Sequence, residues 1–197
     1  MGKLIVLMGS SATGKTTLLE YLKKYFNINI GVSHTSRPKR KCEIEGQDYH
    51  FISMDDFIDM AMSKDFLEVR TYKTKNGYWY YGLHKDSVDL SNGDYFVILD
   101  QDGYYQVLEQ LPQEDVPGIY IYSDEREKIS RALSRETRTD DEFYAEFYRR
   151  MLDDLTAFDK VKQDEHILKI ENINLEQTAR IIMNYIGLHN QENTTEK

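Results

Sequence analysis

The feature that constrains the fold most is a strand, a glycine-bounded loop and a helix that follow one another without a gap. Residues 4–8 are the apolar run Leu-Ile-Val-Leu-Met, and residues 17–22 have the spacing of an amphipathic helix. The loop between them, from Gly9 to Thr16, matches the pattern G-x-x-x-x-G-K-[ST]. In this context the pattern is typical of a loop whose backbone N–H groups surround a phosphate at a helix N-terminus. The sequence therefore predicts a phosphate-binding loop.

The residues of this loop have the chemistry needed to bind a nucleoside triphosphate. Lys15 is expected to reach the β- and γ-phosphates, and the Thr16 hydroxyl is expected to ligate Mg²⁺. The residues predicted to bind ATP are Gly9, Ser10, Ser11, Ala12, Thr13, Gly14, Lys15, Thr16 and Thr17. A chance match in a turn rich in Gly and Ser is the alternative, and the flanking strand and helix argue against it.

The composition argues against several classes of protein. A length of 197 residues suffices for one domain with a substantial core, and the longest apolar run is much shorter than the roughly 20 residues of a membrane helix. The net charge of −9 disfavours nucleic acid as a partner, because nucleic-acid binding needs a basic face. Cys42 is the only cysteine, so no internal disulfide can form and a cytoplasmic location is expected. The histidines lack the spacing of a zinc site.

Predicted strands and helices alternate along most of the chain, which implies β-α-β units and a parallel sheet. The predicted core strands cover residues 3–8, 29–34, 94–100, 117–122 and 166–170. The predicted helices cover residues 15–26, 102–111, 124–136, 141–157 and 175–187. We therefore predict an α/β, three-layer fold around a five-stranded parallel core sheet that carries the phosphate-binding loop.

Residues 35–91 interrupt this alternation. Strand-like segments are predicted there at 48–52, 66–72 and 78–81, with a short helix from residue 53 to 63. Asn76-Gly77 between the last two strands favours a tight hairpin. We predict a small, mostly antiparallel insertion at 35–91. The core is then formed by residues 1–34 and 92–187, followed by a disordered tail at 188–197.

Arginine and lysine residues are concentrated in two places on an otherwise acidic chain. Arg37 and Arg40 lie three residues apart after the second predicted strand, and a guanidinium matches phosphate oxygens bidentately. Arg131 and Arg135 share one face of a predicted helix, because residues four apart are neighbours on a helix. Arg138, Arg149 and Arg150 follow. Solvated surface charge is the alternative, but clustered cations on an acidic chain favour small polyanionic ligands.

Six motifs together resemble the guanylate kinase family. They are the loop at 9–16, Ser33 with Arg37-x-x-Arg40, Asp48-Tyr49-x-Phe51, Phe66-Leu67-Glu68, Tyr80-Tyr81-Gly82 and Leu99-Asp100-x-Asp102. They occur in the family's order and close to its spacing, from about residue 3 to residue 186. The resemblance implies a Mg²⁺-dependent enzyme that transfers a phosphoryl group from ATP to a nucleoside monophosphate, GMP or dGMP. It also implies small-molecule nucleotide partners, no membrane and a monomer or homodimer.

The resemblance also implies roles for individual residues. The acceptor's phosphate would be held by Arg37, Arg40, Tyr49 and Tyr81. The base would face Ser33, Glu68 and Asp102, with Asp100 nearby. The catalytic residues would be Lys15 and, from a helical lid at about 131–150, Arg131, Arg135 and Arg150, with Arg149 as the alternative to Arg150. The chemistry of Glu68 agrees, because a carboxylate accepts hydrogen bonds from the ring N–H and amine of guanine, and adenine lacks that ring N–H.

The chain departs from the family pattern at two informative positions. Leu83 stands where the family usually has a serine that contacts the base. Ala12 stands where glycine is usual, and it is strained by roughly 1 kcal/mol if the backbone there has a positive φ.

Three other functions are compatible with parts of the sequence. The first is a kinase of the same fold that acts on another nucleotide or on a sugar phosphate. The second is a guanylate-kinase-like binding module without catalytic activity. A GTPase is disfavoured, because Asp100-Gln-Asp-Gly103 matches D-x-x-G but no Asn-Lys-x-Asp motif follows.

Overall fold

The structure is a computed structural model that describes residues 2–40, 43–74, 77–134 and 141–187. The chain divides into two compact units. The first comprises Met1–Val6 and Asn29–Val116, and the second comprises Leu7–Ile28 and Pro117–Lys197. The predicted insertion at 35–91 falls within the first unit, and its boundaries stay a prediction. The tail predicted at 188–197 lies outside the described residues.

The described strands and helices are as follows. The strands are β1 (Leu4–Met8), β2 (Asn29–Ile30), β3 (His34–Thr35), β4 (His50–Phe51), β5 (Phe66–Thr74), β6 (Gly77–His84), β7 (Tyr95–Ile98), β8 (Gly118–Tyr122) and β9 (Leu168–Glu171). The helices are α1 (Lys15–Phe26), α2 (Met54–Met62), α3 (Gln101–Leu108), α4 (Glu125–Ser134), α5 (Asp141–Thr156), α6 (Asp159–Gln163) and α7 (Leu175–Tyr185).

A five-stranded sheet has the strand order β2-β7-β1-β8-β9. β2 pairs with β7 and β8 pairs with β9 in parallel register. All five residues of β1 are buried, as expected for a strand of a parallel sheet that is covered on both faces. The predicted α/β fold with a five-stranded parallel sheet is therefore confirmed.

The second predicted core strand, at 29–34, is wrong as a single element. Asn29–Ile30 forms β2 of the five-stranded sheet, whereas His34–Thr35 forms β3 of a second sheet. The chain leaves the first sheet after Gly31, whose N–H donates to the carbonyl oxygen of Phe96 at 2.9 Å. A Cβ at Gly31 would stand 2.7 Å from a methyl group of Val97, so only glycine permits this close approach.

The second sheet has the order β4-β3-β6-β5 and lies within the first unit. β3 pairs with β4 in parallel, and the other two pairings are antiparallel. β5 and β6 form a long hairpin whose last described pair is Thr74 with Gly77, which confirms the predicted hairpin between these strands. Gly77 has a φ of +108°, and Lys75 and Asn76 lie outside the described residues.

Two polar side chains cap helices that follow strands of the first sheet. Asp100 accepts a hydrogen bond from the N–H of Gly103 at the start of α3, and Asn174 accepts one from Gln177 at the start of α7. The apolar face of α7 buries Ala179, and polar caps of this kind satisfy an N–H group at the start of a helix. Within the described residues no helix is both long and apolar enough to cross a membrane.

Candidate functional site

The loop between β1 and α1 has the backbone conformation that its glycines predict. Gly9 has a φ of +148° and Gly14 a φ of +93°. A Cβ at Gly9 would stand 2.2 Å from the carbonyl oxygen of Ile121, and a Cβ at Gly14 would stand 2.5 Å from Nδ2 of Asn172. The positive φ disfavours other residues at both positions, and at Gly9 the backbone of Ile121 also leaves no space for a Cβ.

Ala12 lies in the same loop with a φ of +61°. This left-handed conformation costs a residue with a Cβ about 1 kcal/mol relative to glycine. The sequence analysis expected strain at Ala12 if the φ there is positive, and the structure confirms that positive φ. The alanine follows a backbone course that glycine adopts freely.

Side chains that follow the neighbouring strands hold the loop through its carbonyl groups. Asn172, buried just after β9, donates from Nδ2 to the carbonyl oxygen of Thr13 at 2.8 Å. Ser123, which follows β8, donates to the same oxygen at 3.4 Å. Thr13 donates from Oγ1 to the carbonyl oxygen of Ser10 at 3.0 Å. These contacts fix the loop without using its N–H groups.

Lys15, the first residue of α1, lies over the loop. Its Nζ donates to the carbonyl oxygens of Gly9 and Ser10 at 2.6 and 2.7 Å. Thr16 and Thr17 are exposed in the first turn of α1. The ammonium group and the Thr16 hydroxyl therefore stand at a helix N-terminus, where the helix dipole favours an anion.

A carboxylate of the protein itself binds one N–H group of the loop. The N–H of Ser11 donates to Oδ2 of Asp154, a residue of α5, at 2.7 Å. The carboxylate oxygen stands in for the phosphate oxygen that such a loop binds. Buried Lys128 donates to Oγ of Ser10 at 3.0 Å and pairs with Glu125 at 2.6 Å. Asp154 and Lys128 both line a cavity of about 450 Å³.

Arg131, a predicted catalytic residue, lies in α4. Its NH2 pairs with Glu127, one helical turn earlier, at 2.6 Å. Its NH1 donates to Oγ of Ser123 at 3.2 Å, and Ser123 in turn contacts the loop carbonyl of Thr13. Arg131 is therefore connected to the phosphate-binding loop through one serine hydroxyl.

A second cluster of polar side chains lies in the four-stranded sheet and in the loop after β3. Arg37 is 3% exposed and donates from Nε to the hydroxyl of Tyr81 at 3.0 Å. Its NH1 and NH2 groups donate to the two carboxylate oxygens of Glu43 at 3.0 and 2.7 Å. The rings of Tyr49 and Tyr81 pack edge to face with centroids 5.6 Å apart. The predicted residues Arg37, Tyr49 and Tyr81 are thus brought together.

Glu43 supplies the negative charge of this cluster. Burial opposes its ionisation, but hydrogen bonds from the Arg37 guanidinium and the Arg40 N–H outweigh burial, so the pKa of Glu43 lies below its ordinary value. Burial also opposes the charge of Arg37, but Glu43 outweighs it and the pKa of Arg37 is raised. The Arg40 side chain is half exposed, with NH1 3.9 Å from Glu43. Glu43 thus occupies the guanidinium edge that a phosphate would use.

Glu68 forms the centre of a third group of charges in the same unit. Its side chain is fully buried, and its oxygens accept from Nε and NH2 of Arg70 at 2.6 and 3.2 Å. NH1 of Arg70 is 3.6 Å from a carboxylate oxygen of Asp100. The hydroxyl of Tyr72 donates to that same oxygen. Arg70 therefore lies between two carboxylates.

Burial and mutual attraction set the charges of this group. Burial raises the pKa of Glu68, and the Arg70 guanidinium opposes that rise. Burial opposes the charge of Arg70, but Glu68 and Asp100 outweigh it and raise the pKa of Arg70 above its ordinary value. Burial and Asp100 also raise the pKa of the Tyr72 phenol. The guanidinium is therefore a permanent positive charge beside a buried acceptor.

Tyr81 connects the cluster around Arg37 with the group of charges around Glu68. Its hydroxyl accepts from Arg37, and the guanidinium carbon of Arg70 lies 5.9 Å from the centroid of its ring. Of the other residues predicted near the base, Ser33 is buried and Asp102 is exposed in the first turn of α3.

A family model described as guanylate kinase matches residues 1–187. The chain belongs to the guanylate kinase family. The guanylate kinase of Neisseria meningitidis serogroup A is 35% identical over 153 residues, which are 68% of this chain and 72% of that protein. The guanylate kinase of Desulfotalea psychrophila is 37% identical over 125 residues, which are 61% of this chain and 58% of that protein.

Solved structures show the same fold. The crystal structure of guanylate kinase from Anaplasma phagocytophilum superposes with a TM-score of 0.65 at 23% identity, covering 98% of this chain and 88% of that one. A gluconokinase from Sinorhizobium meliloti superposes with a TM-score of 0.53 at 13% identity, covering 95% of this chain and 92% of that one. At such identities the likeness concerns the fold alone.

Two of the arginines predicted for the lid of this guanylate kinase family member are not described by the structure. Arg135 lies outside the described residues, as does Arg138, and the side chain of Arg150 is not described. Arg149 pairs with Asp153, one turn later in α5, at 2.5 Å. The roles of Arg135 and Arg150 stay predictions.

Sequence reasoning missed several residues that contact predicted site residues, among them Arg70, Glu43 and Asp154. Arg70 is two residues after Glu68 on one strand, so the two-residue period of a strand places both side chains on one face and was a usable pattern. Glu43 contacts Arg37 from an irregular loop, and Asp154 contacts Ser11 from 143 residues further along the chain. No local sequence pattern indicates either contact.

Proposed function

We propose that this chain catalyses phosphoryl transfer from ATP to GMP or dGMP, giving ADP and the nucleoside diphosphate. The observation that carries the proposal is the position of Tyr81 between Arg37 and Arg70. The hydroxyl of Tyr81 contacts the guanidinium of Arg37, and its ring faces the guanidinium that binds the buried carboxylate of Glu68. An acceptor with a phosphate at one end and a hydrogen-bonding base at the other fits this arrangement.

The acceptor's phosphate would be bound by the cluster around Arg37. In this proposal the phosphate replaces Glu43 at the guanidinium edge, because a phosphate accepts the same bidentate pair of hydrogen bonds with more charge. Arg40, which is half exposed, and the hydroxyls of Tyr49 and Tyr81 add further donors.

The base would be recognised by Glu68, with Ser33, Asp100 and Asp102 as further acceptor-binding residues. A buried carboxylate favours a base that offers N–H donors, as guanine does at N1 and at its exocyclic amine. Adenine would leave one acceptor unsatisfied, at a cost of about 1–3 kcal/mol.

The donor triphosphate would be bound by residues Gly9 to Thr17. The backbone N–H groups and Lys15 would neutralise the phosphates, and ATP would displace Asp154 from Ser11. The attacking phosphate oxygen is already an anion, so the catalytic residues position and neutralise charge rather than remove a proton. Lys15, Arg131, Arg135 and Arg150 would do this, and closure of the lid would exclude water.

Magnesium fits the chemistry of the loop. The hydroxyl of Thr16 is exposed in the first turn of α1, where Mg²⁺ would take it as one ligand with phosphate oxygens and water completing the shell. Among the described residues no three His, Cys, Asp or Glu side chains form a group that could hold a metal ion, so the ion would be bound mainly through the nucleotide. When bound, it supplies charge neutralisation of the β- and γ-phosphates.

A coupled assay of ADP release tests the proposal. GMP, dGMP, AMP, UMP and sugar phosphates are offered in turn at equal concentration with ATP and MgCl₂. We expect GMP or dGMP to be preferred over AMP in kcat/KM by about 5- to 150-fold, the discrimination that corresponds to about 1–3 kcal/mol for an unsatisfied buried acceptor. Preferred turnover of AMP, UMP or a sugar phosphate would contradict the proposal.

Two other functions are less well supported. A sugar phosphate offers no N–H donors to the buried carboxylate of Glu68. A non-catalytic binding module has no use for a phosphate-binding loop with Lys15 held over it. Failure to bind ATP in a calorimetric titration would favour the module. The partners we propose are small-molecule nucleotides, with the chain a cytoplasmic monomer or homodimer.

A further inference from the structure

Arg70 is a largely buried arginine to which the proposed mechanism assigns no role. Its side chain is 11% exposed, and two of its nitrogens donate to Glu68. Its third nitrogen, NH1, lies 3.6 Å from Asp100, beyond an ordinary hydrogen bond. A guanidinium has five N–H donors, which exceeds the two that Glu68 accepts and the further contact with the Tyr72 hydroxyl, so Arg70 retains donor capacity beside the carboxylate.

The neighbouring residues hold this guanidinium in a defined place. Gly103 of α3 packs against it so closely that a Cβ there would stand 2.9 Å from an oxygen of Glu68 and 3.3 Å from Nε of Arg70. The Cδ of Arg70 is equally close to that position. α3 therefore leaves a space that the Glu68–Arg70 pair fills, and the pair is preorganised rather than loosely solvated.

A carboxylate and a guanidinium side by side present acceptors next to donors. The Watson–Crick edge of guanine presents the complement, which is N–H donors at N1 and N2 and a carbonyl acceptor at O6. Glu68 supplies only acceptors when ionised, and Leu83, paired with it across the hairpin, is fully buried and apolar. Of the residues that touch Glu68 through a described side-chain bond, Arg70 is the one able to donate to O6.

We infer that Arg70 is a specificity-determining residue that donates a hydrogen bond to the 6-oxo group of the acceptor's base while Glu68 accepts from its N–H groups. This inference rests on the proposed function, because it concerns the base of the same acceptor. A base with an amino group at position 6 presents a donor to a donor there and is disfavoured. The guanidinium thereby adds to the discrimination that Glu68 provides.

A comparison of GMP with 6-thio-GMP, in wild type and in the variant Arg70→Met, tests this contact. GMP and 6-thio-GMP differ at one atom, and sulfur accepts hydrogen bonds poorly. We expect wild type to prefer GMP by about tenfold in kcat/KM, the effect of one charge-assisted hydrogen bond. In Arg70→Met the ratio is expected to fall to about one, with KM for GMP raised more than kcat is lowered. Arg180→Met removes an exposed arginine of α7 that pairs with Glu176, and it should keep the wild-type ratio.

The outcomes separate the inference from the proposed function. A wild type that neither binds nor phosphorylates GMP refutes the proposed function and the inference together. A wild type that phosphorylates GMP, but whose GMP preference is absent or is unchanged in Arg70→Met, refutes the role of Arg70 alone.

A second measurement applies if Arg70→Met does not fold. Infrared difference spectra of [6-¹⁸O]GMP bound to wild type and to Arg70→Lys report the carbonyl directly. We expect the C6=O band of bound GMP at lower frequency in wild type than in water, and a different position in Arg70→Lys. A band that is identical in the two proteins would overturn the contact.

Discussion

In the phosphate-binding loop a backbone N–H group binds a carboxylate, whereas in the cluster around Arg37 a charged side chain does so. Both regions hold a carboxylate of the protein. Asp154 accepts from the N–H of Ser11, and Glu43 accepts from both arms of Arg37. In the proposed function, each region is therefore organised for an anion before a nucleotide binds.

The two regions are expected to differ in how their stability changes when the carboxylate is removed, which is Asp154 at the loop and Glu43 at Arg37. The loop is held by hydrogen bonds from Asn172 and Ser123 to a carbonyl group, so its shape does not depend on Asp154. Arg37 is a buried cation, and Glu43 is its bidentate counterion. A backbone site is thus stable without an anion, whereas a side-chain site needs one for its own stability.

The largest effect is expected from Lys15→Ala. The loop can cradle phosphates with its backbone, but only a side chain supplies a full positive charge over it. Loss of one preorganised electrostatic group lowers the rate of chemistry about a hundred- to a thousandfold. Single-turnover measurements with GMP and ATP test this, with Lys23→Ala on the exposed side of α1 as the matched control. A rate close to wild type would remove Lys15 from the mechanism.

Glu43→Gln tests whether the side-chain site depends on its counterion. The variant keeps the shape of the side chain but leaves the buried guanidinium of Arg37 without a charged partner. We expect the free energy of unfolding to fall by about 2 kcal/mol. GMP should raise the melting temperature of the variant more than that of wild type, because the phosphate replaces the lost charge.

The control for Glu43→Gln is Glu176→Gln in an exposed ion pair with Arg180. Exposed pairs contribute little, so a change below about 0.5 kcal/mol is expected there. Equal stability losses in the two variants would show that burial of Arg37 does not matter. The contrast between the two regions would then fail.

Asp154→Asn makes the corresponding change at the loop. The neutral amide oxygen can still accept from the N–H of Ser11, but the negative charge that competes with a triphosphate is gone. We expect stability close to wild type and ATP binding tighter by about tenfold, or about 1.4 kcal/mol, in a calorimetric titration. The adjacent and exposed Asp153→Asn should leave the Kd unchanged, so equal constants for both variants would refute competition at the loop.

Protonation of His34, which lies in the same four-stranded sheet as Tyr81, is expected to give a smaller effect. The pKa of His34 in β3 is lowered from 6.5 to about 4, first by burial and then by His50 and His84. The unfolded chain therefore binds more protons than the folded chain between these pH values, and stability falls as the pH falls through that window. His34 is only half buried, so the loss is about 1 kcal/mol.

Unfolding by denaturant at pH 7 and pH 5 measures this loss. His34→Gln should reduce the difference between the two pH values, whereas His166→Gln, at a side chain that is 74% exposed, should not. If both variants keep the wild-type pH dependence, the burial of His34 is not its cause.

The sequence predicted the loop region better than the acceptor region. The loop lies within one contiguous segment, and its glycines and lysine specify a backbone shape by themselves. Even the strain at Ala12 followed from the pattern. The acceptor region draws on separate strands and a loop, so motifs indicated Arg37 and Glu68 but not the partners that neutralise them.

The missed contacts have a common physical reason. Glu43 and Asp154 are acidic residues, a type that most often lies on the surface, and only their positions in the folded chain give them a role. Asp154 lies 143 residues from Ser11. Residues 29–34 were wrongly predicted as one strand, because the close approach of Val97 to Gly31 is a tertiary contact that the local sequence does not indicate. The local sequence pattern determines the helices, the strands and the shape of the loop, whereas pairing of charges between distant segments can be identified only from the three-dimensional structure.

Ala12→Gly should give the smallest effect and isolates the backbone contribution to the loop. Glycine relieves about 1 kcal/mol of strain at a φ of +61°, but it increases the entropy of the unfolded chain by about 0.4–1 kcal/mol. The net gain in stability is therefore at most about 0.6 kcal/mol. Ala61→Gly in α2 makes the same chemical change at a helical φ, where a loss of about 1 kcal/mol is expected. Equal losses in both variants, measured by chemical denaturation, would mean that the left-handed conformation of Ala12 carries no strain.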